Sequence, residues 1–170
     1  MNKVYLIGLP ASGKTTTAKW LAEKMGWTAV DLDELIEIDQ GNSISGIFDQ
    51  LGEDEFRKIE AKVLRDTKKL NFTVISCGGG TAAFHNNMDW MISNGMTIYL
   101  NTDLNTILSR IQKNNAVRPL FSGLSEAEIQ EKLSVFLQER GVYYSKSKLV
   151  WNKEVPTEML HFAVNQLIAS

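Results

Sequence analysis

Short apolar runs along the chain alternate with longer segments in which apolar residues recur every three or four positions. The short runs are rich in β-branched and aromatic residues and predict buried strands at residues 4–7, 29–32, 72–76, 96–100 and 149–151. The longer segments predict helices at residues 15–25, 54–69, 104–113 and 126–140, with a closing amphipathic helix from Pro156. Strands alternating with helices predict an α/β protein, with three layers (α/β/α) around a five-stranded parallel sheet.

Two stretches depart from this pattern. Residues 41–52 are expected to form a short helix that leads into the longer one at residues 54–69. Residues 114–123 are too polar for a helix or a strand, and a loop of that length in a compact domain is typical of a mobile lid. Ser125 and Glu128 follow with the spacing of a capping box, so the next helix is predicted to begin there.

Composition narrows the class of protein without naming a function. A chain of 170 residues with 44% hydrophobic and 22% charged residues predicts one globular domain, residues 1–170. A net charge of -2 gives no reason to expect nucleic acid or a membrane surface as a partner, and no apolar run approaches the roughly 20 residues of a membrane span. A strand predicted at residues 4–7 leaves no room for a signal peptide, and Cys77 is the sole cysteine. We therefore expect a cytoplasmic enzyme. We also expect a monomer, although none of these properties decides the oligomeric state.

A phosphate-binding loop follows the first predicted strand. Gly8, Gly13, Lys14 and Thr15 match the pattern G-x-x-x-x-G-K-[S/T]. In such a loop, glycines turn backbone N–H groups towards one point, the lysine meets the β- and γ-phosphates, and the hydroxyl offers a ligand to Mg²⁺. The expected nucleotide-binding residues are Ala11, Ser12, Gly13, Lys14, Thr15 and Thr16. The chain is predicted to bind a nucleoside triphosphate.

Two carboxylates follow the second predicted strand. Because side chains alternate along a strand, Asp31 and Asp33 are expected on one side, at the sheet edge where ligands bind. Such a pair can hold Mg²⁺ and accept a substrate hydroxyl. The alternative is an acidic cap for the following helix, which requires only one of them.

Glycines and arginines make up the remaining candidate site. Gly78, Gly79 and Gly80 end a predicted strand, and three glycines in succession indicate that the backbone approaches another group closely, most simply a ligand. The alternative is a plain turn between strand and helix, for which one or two glycines are enough. Arg57 and Glu60 share a helix face, which by itself is more often a solvated ion pair.

Two further arginines stay ambiguous on sequence alone. Arg118 lies in the expected lid and could meet the transferring phosphate, or it could simply be solvated. Arg140 could bind a ligand, or it could offset the dipole of its own helix.

Taken together, these motifs resemble the shikimate kinase family. The resemblance covers residues 3–144 and depends on ordered blocks at residues 8–16, 31–37, 41–57, 78–80 and 118–120, with Arg140 and Tyr144 as a weaker sixth. The acidic pair, the G-E-x-x-F-R block and the glycine triplet are specific to this family, whereas the phosphate loop alone is generic. The resemblance implies a P-loop fold with strand order 2-3-1-4-5, a lid at about residues 113–125 and a substrate-binding segment at about residues 31–60.

The resemblance also implies a reaction, ATP plus shikimate giving shikimate 3-phosphate and ADP, with Mg²⁺ as cofactor. Lys14 and the loop amides would hold the phosphates, Thr15 and Asp31 would serve Mg²⁺, and Asp33 would contact the attacking hydroxyl. The residues implied for shikimate are Asp33, Arg57, Glu60, Gly78, Gly79, Gly80 and Arg140. Arg118 would close over the phosphates and Arg110 would flank the adenine, so that Lys14, Asp33 and Arg118 are the expected catalytic residues.

The chain departs from the family pattern in three places, one of which is Cys77, where a small or hydroxyl residue usually precedes the glycines. Where the family usually has R-x-P-L-Y, this chain has no proline at Arg140–Tyr144. The interior of its phosphate loop contains Pro10 rather than a Met-Gly-rich sequence. Two alternatives are kept open: another small-metabolite kinase, such as a gluconate-type kinase, and a non-catalytic nucleotide-binding domain. The first should lack the combination of Asp33, Arg57 and Gly79, and the second has no need of Asp33 or a lid arginine.

Overall fold

A computed structural model describes residues 1–113, 119–152 and 155–169. Within them, five strands form one parallel sheet in the order β2-β3-β1-β4-β5. The strands are β1 (Lys3–Ile7), β2 (Thr28–Asp31), β3 (Thr73–Ser76), β4 (Met96–Asn101) and β5 (Leu149–Asn152). The predicted α/β sheet is confirmed, and so is the strand order that the resemblance implied. Each strand begins and ends within one residue of its predicted bounds.

Helices cover both faces of this sheet. In the described residues they are α1 (Lys14–Met25), α2 (Leu32–Gln40), α3 (Ile44–Asp66), α4 (Asn87–Asn94), α5 (Leu104–Lys113), α6 (Glu126–Tyr144) and α7 (Thr157–Ala169). Short 3₁₀ helices lie at Thr67–Lys69, Thr81–Ala83 and Pro119–Phe121. None of the described helices is long and apolar enough to cross a membrane.

The alternation of side chains along the strands divides the core in two. Val4 and Leu6 of β1 face one cluster, which contains residues of α1 and α7. Tyr5 and Ile7 face the other, which contains residues of α2 to α6. All four side chains are at most 1% exposed. A strand buried on both faces has no polar side, which explains the continuous apolar run at this position in the sequence.

Two helix features agree with the sequence pattern. α3 begins after Ser43, whose hydroxyl accepts a hydrogen bond from the N–H of Gly46, and it bends at Gly52, where φ is 78°. The bend separates the expected short helix from the longer one. α6 begins with the predicted capping box, in which Ser125 and Glu128 exchange side-chain and backbone hydrogen bonds. Such a cap stabilises a helix by about 1 kcal/mol.

The turn between α4 and β4 generates a prediction about stability. A Cβ atom added at Gly95 would lie 2.8 Å from the Lys3 carbonyl oxygen and 2.8 Å from a ring carbon of Tyr5. Because backbone of β1 cannot move aside, we expect Gly95→Ala to lower the free energy of unfolding by roughly 1–3 kcal/mol. Urea unfolding followed by circular dichroism measures the change.

Gly141 provides a matched control for this substitution. It lies in α6, and an added Cβ would meet nothing within 4 Å. We expect Gly141→Ala to raise the free energy of unfolding by up to about 1 kcal/mol, because alanine favours the helix. Similar losses from both substitutions would contradict the steric explanation.

Candidate functional site

A cleft of about 1680 Å³ opens at the carboxyl edge of the sheet. Parallel strands bring their carboxyl ends to one edge, so loops that are distant in sequence meet there. The cleft is lined by the phosphate loop, both acidic residues after β2, the glycine triplet and parts of α3 and α6.

The phosphate loop connects β1 to α1 and is held by internal contacts. The ammonium of Lys14 donates to the carbonyl oxygens of Gly8 (2.9 Å) and Leu9 (2.8 Å), and the residue is 8% exposed. From α5, the guanidinium of Arg110 donates to the Ala11 carbonyl oxygen at 2.9 Å. Gly13 adopts the left-handed conformation (φ 97°) as the residue that caps α1. The loop is thus shaped by side chains that come from both of its ends and from α5.

Oxygen ligands for a cation lie directly beside this loop. The Thr15 hydroxyl donates to Asp31 Oδ2 at 2.8 Å and lies 3.2 Å from the Ser76 hydroxyl. No group of three or more His, Cys, Asp or Glu side chains in the described residues could hold a metal ion by itself. A hydroxyl and one carboxylate fit Mg²⁺, which commonly takes one or two protein oxygens and completes its shell with phosphate and water.

The two aspartates do not occupy one strand, so that part of the sequence argument was wrong. β2 ends at Asp31, and Asp33 lies in the first turn of α2. Asp31 Oδ1 accepts the N–H of Asp33 at 3.0 Å and so caps the helix, while Oδ2 binds Thr15. Asp31 therefore caps the helix, as one alternative held, and also contacts the phosphate loop through Thr15, while its role towards Mg²⁺ stays a prediction. Asp33 reaches the same cleft by the turn of a helix rather than by strand alternation.

Asp33 is the carboxyl group in the cleft whose protonation is most affected by its surroundings. Burial and, next to it, the charges of Asp31 and Glu60 raise the pKa of Asp33 to about 6, against the lowering effect of Lys14 and Arg57. A carboxylate with this pKa is ionised at neutral pH and still accepts a proton readily.

Opposite the phosphate loop, Arg57 is held in a buried network. Its side chain donates from Nη1 to Glu60 Oε2 at 2.9 Å, and from Nε and Nη2 to Glu53 Oε1 at 3.2 and 3.0 Å. Glu60 is fully buried, and its Oε1 accepts the Thr81 hydroxyl at 2.6 Å. The rings of Phe84 and Phe56 lie 4.4 and 5.1 Å from Arg57 Cζ. The ion pair of Arg57 and Glu60 is therefore buried, and not the solvated surface pair that the spacing of the two residues alone suggested.

The glycine triplet is packed against side chains. An added Cβ at Gly80 would lie 2.6 Å from Arg57 Nη2, and one at Gly79 would lie 2.8 Å from ring carbons of Pro10. At Gly78 it would lie 3.2 Å from oxygens of Asp33 and Glu60. The backbone is therefore closely approached, but by Arg57 of α3 and by Pro10 of the phosphate loop, and the expected approach to a ligand stays a prediction.

Arg140 and Tyr144 extend from α6 into the same region. Arg140 is 9% exposed, is hydrogen-bonded to Tyr144, and lies with its Cζ 3.7 Å from the Phe136 ring. The Tyr144 hydroxyl donates to the Gly79 carbonyl oxygen. Burial lowers the pKa of Arg140 and raises that of Tyr144. A buried arginine that lines the cleft is not simply a cation offsetting its helix dipole.

The expected site residues are thus brought together in one cleft, except for one that lies outside the described residues. The cleft is lined by Ala11, Ser12, Gly13, Lys14, Thr15, Thr16, Asp31, Asp33, Arg57, Glu60, Gly78, Gly79, Gly80, Arg110 and Arg140. Arg118, from the expected lid, lies outside the described residues.

Sequence reasoning missed four residues of this arrangement. Ser76, Thr81, Glu53 and Pro10 all contact residues of the site. Ser76 and Thr81 could have been found as the hydroxyl residues on either side of Cys77 and the glycine triplet. Glu53 lies in the block at residues 41–57 but was given no role, and Pro10 was considered only as a departure from the phosphate-loop sequence of the family.

The chain has the strand order of a P-loop kinase, a phosphate loop after β1, and two aspartates, Asp31 and Asp33, in the same cleft. These features define the class of P-loop kinases that act on small molecules. The family model described as shikimate kinase matches residues 10–167. The shikimate kinase of Sulfurihydrogenibium sp. (strain YO3AOP1) is 38% identical over 162 residues, which is 94% of this chain and 94% of that one. The chain belongs to the shikimate kinase family.

Solved structures agree with this assignment. A shikimate kinase from Bacteroides thetaiotaomicron superposes with a TM-score of 0.91 at 27% identity, over 99% of both chains. The shikimate kinase from Acinetobacter baumannii, solved in complex with shikimate, gives a TM-score of 0.86 at 29% identity, over 99% of this chain and 93% of that one. The protein is an ATP-dependent kinase by family, and both alternatives kept open above give way to this one.

The position of Asp33 generates a prediction about stability. Its pKa is raised on folding, so the folded state keeps this proton to higher pH than the unfolded chain does, and stability falls as pH rises from about 4 to about 6. We expect Asp33→Asn to raise the free energy of unfolding by roughly 2 kcal/mol at pH 7.5 and to leave it unchanged near pH 4. Urea unfolding at both pH values, in metal-free buffer, measures this difference.

Asp39 is the matched control. It is an exposed residue whose pKa is lowered by hydrogen bonds from Gln40 and Lys62, the opposite direction. Asp39→Asn should therefore give no gain at pH 7.5. A gain from both substitutions would point to net charge rather than to the surroundings of Asp33.

Proposed function

We propose that the protein transfers the γ-phosphoryl group of ATP to the 3-hydroxyl of shikimate, giving shikimate 3-phosphate and ADP on the route to aromatic amino acids. The observation that carries the proposal is a buried guanidinium, that of Arg57, which lines the same cleft as the phosphate loop. A net charge of -2 makes such a locally placed cation a specific feature rather than part of a general basic surface. The Acinetobacter baumannii relative, solved with shikimate, supports the same substrate.

The nucleotide half of the reaction belongs to the phosphate loop. The amides of Ala11 to Thr16 and the Lys14 ammonium hold the phosphates of ATP. Thr15 and Asp31 would hold Mg²⁺, which would supply positive charge against the phosphates. Arg110 lies beside the loop, where its hydrogen bond to Ala11 supports the expected position flanking the adenine.

The acceptor half belongs to the groups around Asp33. Its carboxylate accepts the hydrogen bond of the 3-hydroxyl and orients that oxygen towards the phosphorus; a pKa of about 6 leaves it ionised at neutral pH. Arg57 and Arg140 hold the carboxylate of shikimate, because a planar guanidinium matches a carboxylate with paired hydrogen bonds. Glu60 orients Arg57, and Gly78 to Gly80 present backbone to the substrate.

The remaining expectations stay predictions. Closure of Arg118 over the phosphates would place a further cation on the transferring group and exclude water. One domain over residues 1–170, action as a monomer and a cytoplasmic location are part of the same proposal.

An acceptor panel tests the function directly. With ATP and Mg²⁺, ADP release is measured with shikimate, gluconate and 3-dehydroshikimate, which keeps the carboxylate but has no 3-hydroxyl. We expect turnover with shikimate alone. Turnover with gluconate and none with shikimate would overturn the substrate assignment, and turnover with 3-dehydroshikimate would move the reaction to another hydroxyl.

Arg57→Lys tests the carboxylate site. Lysine keeps the charge but cannot form paired hydrogen bonds, so we expect the KM for shikimate to rise roughly 10- to 100-fold while the KM for ATP changes less than about twofold. Steady-state kinetics with each substrate varied in turn measure both constants.

Arg65 on the same helix is the matched control. Its guanidinium donates to Ala61, His85 and Asn87, outside the cleft. Arg65→Lys should alter neither KM by more than about twofold. Equal increases in both KM values for Arg57→Lys would show that Arg57 acts on the whole site rather than on the carboxylate.

A further inference from the structure

All three nitrogens of the Arg57 guanidinium donate to carboxylates of the chain itself. Nη1 donates to Glu60 at 2.9 Å. Nε and Nη2, which form one edge of the guanidinium, both donate to a single oxygen of Glu53, at 3.2 and 3.0 Å. This edge is one of the two on which an arginine can receive a carboxylate with paired hydrogen bonds.

The two glutamates differ greatly in their contact with water. The side chain of Glu60 is 1% exposed, and its other oxygen accepts a hydrogen bond from Thr81. Taking Glu60 away from Arg57 would leave a buried charge without its partner, which is strongly unfavourable. The side chain of Glu53 is 56% exposed, so water can replace Arg57 as its partner, and ion pairs of that kind are weak.

The surroundings of Arg57 restrict the direction from which an anion can approach. The Gly80 backbone is packed against the guanidinium, where an added Cβ would lie 2.6 Å from Nη2, and the Phe84 ring lies 4.4 Å from Cζ. Glu53 lines the same cleft as Arg57 and Arg140. Because Nη1 is held by the buried Glu60, the edge held by the exposed Glu53 is the one that a carboxylate can take without leaving a buried charge unpaired.

We propose that Glu53 is a specificity-determining residue, which competes with the carboxylate of the substrate for the Nε–Nη2 edge of Arg57. The inference rests on the proposed function, since it needs a carboxylate substrate at Arg57. Glu53 follows Gly52, where α3 bends, and so begins the second part of that helix. After displacement its charge remains in water near a helix N-terminus, where a negative charge is favourable.

Competition of this kind selects among ligands by charge. A ligand with an ionised carboxylate replaces one ion pair of Arg57 with another and loses only part of its affinity. A neutral ligand of the same shape offers Arg57 nothing that exceeds Glu53. Glu53 thus lowers the affinity for the true substrate slightly, and keeps uncharged cyclic polyols from using the site.

The test compares Glu53→Gln with the unaltered protein by calorimetric titration of shikimate. Since an exposed ion pair contributes little, we expect the Kd for shikimate to fall about two- to fivefold. The Kd for ADP should be unchanged. The methyl ester of shikimate, which has no charge, should also bind more tightly to the variant, because the edge of Arg57 that Glu53 closes to uncharged ligands is then open.

Glu55→Gln is the matched control, because it removes the same charge two residues away. Glu55 pairs with Lys58 on the surface and does not line the cleft. It should leave the Kd for shikimate unchanged, and Glu53→Ala should tighten binding as Glu53→Gln does.

The outcomes distinguish a failure of this inference from a failure of the proposed function. If the unaltered protein binds no shikimate, the proposed function fails. If it binds shikimate but Glu53→Gln binds equally or more weakly, Glu53 only orients Arg57 and the inference alone is overturned. Equal tightening by Glu55→Gln would likewise overturn it in favour of general electrostatics. A methyl ester that binds Glu53→Gln no more tightly than the unaltered protein would overturn the selection by charge.

Discussion

The close packing of the glycine triplet after β3 is the constraint on which the site depends. No Cβ fits at Gly79 or Gly80, because Pro10 and Arg57 lie where it would be. In the same segment, the Gly79 carbonyl oxygen accepts a hydrogen bond from the Tyr144 hydroxyl. Three elements that are far apart in sequence, the phosphate loop, α3 and α6, are therefore brought to one place by a segment with no side chains. A single methyl group there would separate the nucleotide side of the cleft from the acceptor side.

Charges concentrated in this cleft oppose folding rather than support it. Arg57, Glu60 and Arg140 are each at most 9% exposed, and Asp33 has its pKa raised by burial. Ion pairs withdrawn from water contribute little to stability even when they are fully hydrogen-bonded. In the described residues every buried side-chain nitrogen or oxygen does have a hydrogen-bond partner. The two apolar clusters on either face of the sheet provide the stability that holds these charges in place.

The fold was predictable from the sequence wherever the pattern is local. Strands buried on both faces give continuous apolar runs, and Ser125 with Glu128 marks the start of α6. α4 was missed, because its eight residues, Asn87–Asn94, are too few to show a helical period. Asp33 was expected at the cleft, where it lies, but by the alternation of side chains along a strand. β2 ends at Asp31 and α2 begins at Leu32, so a turn of helix brings Asp33 there instead.

Contacts between distant side chains could not be predicted at all. Tyr144 meets Gly79 across 65 positions, and Thr81 meets Glu60 across 21. Such pairs depend on how helices pack on the sheet, which no single segment encodes. The role of Glu53 belongs to the same class, because its spacing from Arg57 fits equally a surface ion pair and the partly buried contact that is observed.

Pro10 and Gly79 give the two loops of the site a common boundary. The proline ring lies against the glycine so closely that no gap remains to absorb a displacement of either loop. A movement of the phosphate loop would therefore be transmitted to the backbone of the glycine triplet. By thermodynamic linkage, whatever the nucleotide does to the affinity for the acceptor, the acceptor does to the affinity for the nucleotide in equal measure.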